Sequence, residues 1–183
     1  IWHTHRLISY FLLQGKSIMA TQTLTITGDG AVRTGWDAEG YDYTRLQSDD
    51  GETSKIYSPT LNDVVSFQIS NTSGLSGATI NSVTVYGTVA NIGIYDATFR
   101  LGVRVSGTNY FGSTKTHSSL SYSQYSSVFS TNPATGLAWT TSEIDAMEPV
   151  LIKDDDKGLR FTYMIVDVDY TEASSARRIF IIT

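Results

Sequence analysis

Covalent hydrolysis needs a nucleophile, a base beside it and donors for the developing oxyanion. The chain of 183 residues has no cysteine and three histidines, His3, His5 and His117. The string nearest to a nucleophile elbow, Gly74-Leu75-Ser76-Gly77-Ala78, lacks the final glycine. His117 lies in a Ser/Thr-rich segment and reads as an exposed strand histidine rather than a base. Asp167 and Asp169 alternate on one side of a strand, about 6–7 Å apart, a spacing that admits glycosidase-type acid/base work. Exposed strand carboxylates more often guard an edge. No catalytic residue is therefore assigned, and the chain reads as a non-enzyme.

Binding chemistry has better candidates. Trp36, Tyr41 and Tyr43 form an aromatic cluster in an irregular segment, and a ring face can stack on the apolar face of a sugar. Tyr122 and Tyr125 form a second pair. Asp49-Asp50-Gly51-Glu52 and Asp154-Asp155-Asp156 are oxygen-rich loops, the ligand type that calcium takes. Neither fits the spacing of a calcium-binding loop. They read as solvated turns, so no metal site is assigned and calcium stays a minor alternative. Asn71-Thr72-Ser73 is a formal glycosylation triplet.

Composition sets the frame for these residues. Hydrophobic residues make up 40% and charged residues 17%, with a formal charge of −5. Ser and Thr number 46 and Lys only 5. This is a polar β composition, unlike that of a coiled coil or a disordered tail. The negative charge and the lack of a basic run argue against nucleic acid. No apolar stretch reaches the length of a membrane-spanning helix.

Residues 1–18 contain no acidic residue and precede Met19. Codons for Gln14-Gly15-Lys16 can encode a purine-rich ribosome-binding site. The expectation is that residues 1–18 translate an upstream region and that residues 19–183 form a single β-sandwich domain. A weak signal peptide, with the apolar run Leu7 to Leu13 and a cut after Ala20, is the rival reading.

Period-two alternation marks the strands. Leu24 and Ile26 alternate with threonines until Gly28-Asp29-Gly30, where the run is expected to end. Short strands are expected over 53–58 and 64–70, and long ones over 79–89 and 96–105. Val83, Val85, Gly87 and Val89 share one face of the first long strand. Ala97, Phe99, Leu101, Val103 and Val105 share one face of the second. Ser106-Gly107 predicts a hairpin turn. Polar strands follow at 114–119 and 124–131. Asn132-Pro133-Ala134-Thr135-Gly136 is turn chemistry. Thr140 and Glu143 form a capping box for one short helix. A strand at 150–153, a turn at 154–158 and a long strand placing Met164, Val166, Val168 and Tyr170 inward complete the pattern. Ile179, Phe180, Ile181 and Ile182 are expected to form a terminal strand or an adhesive assembly end. The fold class is all-β: an antiparallel two-sheet sandwich with one short helix, jelly-roll topology preferred.

Residues 79–170 resemble a domain of tailed-phage, prophage and environmental viral structural proteins. The matching parts are Arg104 to Tyr110, Thr131 to Thr140 with its N-P-A-T-G-x-x-W block, Glu143 to Met147, and Val166 to Tyr170. The resemblance implies a virion structural or accessory role and a jelly-roll-like sandwich. It supplies no catalytic residues, and the tail after Tyr170 and the Asp154–Asp156 loop depart from it. The expected function is capsid decoration or a head or tail fibre, working by protein–protein assembly. The partners would be other virion proteins or the chain itself, as a homo-oligomer and in particular a trimer, after assembly in the bacterial host cytoplasm. The alternative is a carbohydrate- or receptor-binding module that takes a surface glycan.

Overall fold

The structure, a computed structural model, describes residues 10–13, 17–36, 43–172 and 177–180. Twelve strands lie among them: β1 (Tyr10–Leu13), β2 (Met19–Arg33), β3 (Ile56–Ser58), β4 (Val64–Ile69), β5 (Thr79–Asn91), β6 (Ala97–Val105), β7 (Thr108–Phe111), β8 (Lys115–His117), β9 (Ser123–Phe129), β10 (Glu148–Lys153), β11 (Leu159–Thr171) and β12 (Arg177–Phe180). A 3₁₀ turn covers Tyr43–Leu46, and helix α1 covers Thr141–Ala146.

Every strand pair is antiparallel. The strands form one continuous curled sheet, β7–β6–β10–β4–β2–β11–β5–β9, whose halves β2–β11–β5–β9 and β4–β10–β6–β7 are joined through the β2–β4 pairing. Strand β3 adds to β11, and β8 to β6. Strand β2 thus lies beside β11, and β4 beside β10. This is the nested order of a jelly roll, the version of the sandwich preferred from the sequence.

The expected end of the first strand is wrong. Gly28-Asp29-Gly30 does not stop β2, which continues to Arg33 and passes from β11 to β4 through register shifts. A Cβ on Gly30 would lie 2.4 Å from Ser66 Oγ and 2.5 Å from its carbonyl carbon. The glycine is there because the backbone of one strand crosses close over another.

The inward faces follow the alternation. Ala97, Phe99, Leu101, Val103 and Val105 are all buried, as are Val83, Val85 and Val89. Gly87 leaves the room that the Phe161 ring fills, since a Cβ there would come within 2.6 Å of it. In β11, Phe161 and Met164 both face the core although they are three residues apart. A bulge between Phe161 and Tyr163 makes this possible, and Thr162 is the extra residue.

The corner between β9 and β10 forms as the sequence predicts. Asn132 accepts from the amides of Thr135 and Gly136, and its side chain accepts from Ala134. Gly136 has φ +73°. The capping box on α1 is complete, with Thr140 and Glu143 bonded reciprocally. Trp139 is buried and donates Nε1–H to the Phe129 carbonyl at 3.0 Å. Ser106 (φ 49°) and Gly107 (φ 83°) make the predicted hairpin turn between β6 and β7.

Of the tail residues, Ile179 and Phe180 lie in β12, opposite Phe11 and Tyr10 of β1. Ile181 and Ile182 lie outside the described residues. The β1–β12 pairing keeps the register of the β2–β11 ladder: Tyr10 pairs Phe180, and ten residues inward Ala20 pairs Tyr170.

Candidate functional site

One end of the sandwich carries a groove built by three loops. The segment between β2 and β4 forms one wall. It is anchored below by Trp36 and Leu46, both fully buried, and above by Thr162. The bulged Thr162 donates its hydroxyl to Gly51 O at 3.0 Å and Ser54 O at 2.6 Å, so an irregularity in β11 holds the loop that carries Glu52, Thr53 and Lys55. Strand β3 then pairs with the start of β11, which sets Tyr57 directly opposite Arg160. Ile56 is buried, so by alternation Tyr57 turns outward.

The second wall is the β5–β6 connection. Asn91 is buried and donates to Tyr95 O at 2.5 Å and His117 O at 2.8 Å. These bonds fix the loop so that Ile94 and Tyr95 project outward, 85% and 63% exposed. Ile92 N–H bonds Gly158 O at 3.1 Å, and a Cβ on Gly158 would strike Ile92.

The turn Asp154–Gly158 forms the third side, and it is not the freely solvated turn that its composition suggests. Arg100 holds Asp154 in a fork at 2.7 Å while lying over the Phe111 ring. Asp155 accepts from the Thr98 amide and hydroxyl, from Lys157 N–H and from Lys153 Nζ. Lys153 is wholly buried, and its ammonium also donates to Lys157 O. Burial pushes the Asp155 pKa upward, but the bonds from Thr98, Lys153 and Lys157 together outweigh it and hold the carboxyl below its ordinary value.

Two adjoining depressions share Tyr57 and Ile92. One is lined by Arg45, Glu52, Thr53, Lys55 and Arg160 and holds about 480 Å³. The other reaches Pro59, Tyr95 and Lys157 and holds about 460 Å³. Glu52 accepts from Arg160 Nη1 at 2.6 Å, Lys55 Nζ at 2.7 Å and Tyr122 OH at 3.2 Å. The Lys55 bond is the main cause of its lowered pKa, opposed by burial and aided by Arg160. Burial, then the Glu52 charge, pushes the Tyr122 phenol well above its ordinary value. Lys157 pairs with Asp156 at 2.9 Å and sits 5.6 Å from the Tyr95 ring centre.

The aromatic platform expected at Trp36, Tyr41 and Tyr43 needs correction. Trp36 has no exposed surface and meets Phe161 edge-on inside the core, so it offers no face to a sugar. Tyr43 is half-buried against the same core, and Tyr41 lies outside the described residues. His117 is not exposed either. It is buried between β8 and β9, with Nδ1 3.1 Å from Tyr125 OH and Nε2 3.1 Å from Ser121 O. Asp167 and Asp169 accept from Thr23 and Thr21 across the ladder.

As to calcium, the oxygens of Asp154 and Asp155 are engaged by cations and amides, and Asp50 Oδ1 accepts from Ser54. Among the described residues no group of three or more His, Asp or Glu is placed to hold a metal ion. No described helix is long and apolar enough to cross a membrane.

Tyr57, Ile92, Ile94, Tyr95 and Arg160 carry no motif that singles them out in the sequence. One local signal for part of the set existed. Asn91-Ile92-Gly93-Ile94-Tyr95 places three large apolar residues in a connection between two strands, where polar residues are the rule.

No family model matches the chain, and no curated protein matches it. Solved structures that resemble it include the CBM35 module from Cellvibrio japonicus Abf62, 14% identical over 86% of this chain and 96% of that one, with a TM-score of 0.45. Others are a broad bean stain virus chain (12% identical, 100% and 98% covered, TM-score 0.26) and a cowpea mosaic virus top-component chain (12%, 99% and 92%, 0.30). Likenesses this distant carry no argument, and the fold assignment rests on the strand order above.

Proposed function

We propose that the chain is a virion structural or accessory protein of a bacteriophage, of the capsid-decoration or head- or tail-fibre type, and that it works by non-covalent assembly. The observation that carries this reading is the β1–β12 ribbon, which requires Tyr10–Leu13 to be part of the protein, against the expectation that residues 1–18 translate an upstream region. It is a two-stranded sheet of its own with the same register offset as the β2–β11 ladder, and among the described residues neither of its strands has a second neighbour. An isolated two-stranded ribbon is marginal in water, and its two open edges present unpaired N–H and C=O groups. Strand addition from another copy or another particle protein satisfies both. The resemblance of residues 79–170 to tailed-phage structural domains supports the same reading, and the virion is the proposed location.

Deleting residues 177–183 tests it. The mass in solution, by size exclusion with light scattering, should fall from a defined oligomer to the monomer. An unchanged mass would remove the ribbon from the account.

A further inference from the structure

We infer that the open edge of β9 is the surface that receives the terminal ribbon, and that its occupant is the β1–β12 ribbon of a second copy of this chain. The inference rests on the assembly reading above and adds to it the acceptor edge and the partner.

An edge strand is a template for pairing, and chains guard their edges with short strands, lysine, proline or a bulge. The other edges of this sheet are guarded. Strand β3 has three residues and is followed by Pro59, and β8 has three and carries Lys115. Strand β7 has four residues, between the Ser106-Gly107 turn and Gly112. Strand β9 differs. It has seven residues, pairs with β5 without a register shift, and has no other strand beside it among the described residues. No Asp, Glu, Lys or Arg occurs over residues 116–142, which include it.

The missing neighbour lies beside β9 rather than in front of it. Its inner side is already met by the facing half of the sheet: Tyr125 donates its hydroxyl to Thr116 O at 3.1 Å, and a Cβ on Gly112 would lie 2.4 Å from Ser127 Oγ. Tyr125 and Phe129 are nevertheless only half-buried against the core, and Val128 is 64% exposed on the outer side. A strand added at the edge extends the cover over all three.

Length and charge fit the ribbon. Each of its strands has four residues, within the span of Ser123–Val128, and Trp139 closes the end of β9 by donating to Phe129 O. On the outer face β9 shares cross-strand rows with β5 and β11, from Gln124–Thr88–Tyr163 to Val128–Thr84–Asp167. The one charged residue in those rows is Asp167, and β12 brings Arg177 and Arg178. Donor and acceptor are different surfaces of one chain, so the contact is head-to-tail, the kind that closes into a ring.

The test uses the full chain and reads its mass in solution by size exclusion with light scattering. Gln124→Lys with Val128→Lys sets positive charge on the exposed side of β9, against the arginines of an incoming ribbon. The mass should fall from the oligomer to the monomer. Val128→Glu, and Ile94→Lys at the groove, should keep the oligomer. These positions are exposed, so unaltered melting separates lost pairing from lost folding. Mixing gives a second measurement. A full chain with Ile179→Pro has a spoiled ribbon and a sound β9, and the Gln124→Lys, Val128→Lys chain has the reverse. Each should be monomeric alone, and together they should form a one-to-one complex and nothing larger.

An oligomer that survives Gln124→Lys with Val128→Lys, or a mixture that forms no complex, would overturn the inference. A monomer produced by Ile94→Lys would overturn it in favour of the groove. Failure of the assembly reading looks different. It shows as a wild-type monomer, or as an oligomer that survives deletion of residues 177–183. If that deletion gives a monomer while the β9 variant stays oligomeric, the ribbon stands and only its acceptor edge is wrong.

Discussion

The two ends of this sandwich are built on opposite terms. At the β9–β10 corner, polar groups are tied into the fold: Asn132 ties off a turn, Thr140 and Glu143 cap a helix, and Asp145 accepts the Thr72 amide from the neighbouring connection. Trp139 and Ile144 bury what is apolar. At the groove end, the buried pins Asn91 and Thr162 and the Asp155 knot hold loops whose apolar tips are left in water. The first end is organised for stability. The second has a rigid base and an exposed apolar crown.

Substitutions can break or sharpen this contrast. The largest effect should come from Trp139→Ala, which removes a buried ring and its bond to Phe129. A loss of about 3–5 kcal/mol is expected in a denaturant titration. A loss below about 1 kcal/mol would mean that this corner is not the anchor described.

Asp155→Asn should cost about 1–3 kcal/mol at neutral pH, because it removes the charged acceptor of the buried Lys153 ammonium. The pH dependence has a definite sign. The folded pKa of Asp155 is depressed, so its contribution is complete above the ordinary carboxylate value and is lost as pH falls through the folded one. The stability gap between wild type and Asp155→Asn should therefore shrink in acid. A gap that widens there would reverse the assignment.

Thr140→Ala should cost about 1 kcal/mol through the lost cap. Ile94→Ser should be the smallest, within about 0.5 kcal/mol, since nothing covers the residue. A large loss at Ile94 would show that the crown is part of the fold rather than an open surface.

The same contrast explains what the sequence could tell. The long alternating strands, the Ser106-Gly107 hairpin, the Asn132–Gly136 turn and the Thr140 cap were legible, because each depends on residues within a few positions of one another. Gly28-Asp29-Gly30 misled, because its glycines answer to Gln68 and Ser66, which are remote in sequence. Trp36 and His117 misled for a related reason: a polar neighbourhood in sequence says little about burial that distant strands impose. The groove draws on the connection after β2, strand β3, the β5–β6 loop and the turn before β11. No local pattern unites them until the jelly-roll order brings those segments to one end. Only the apolar run from Ile92 to Tyr95 carried a hint.

The central claim is assembly through the terminal ribbon. Its most direct test is the mass in solution of the full chain beside the chain lacking residues 177–183. The account predicts a closed oligomer of defined size for the first and a monomer for the second. A monomer in both cases, or the same oligomer in both, would contradict it.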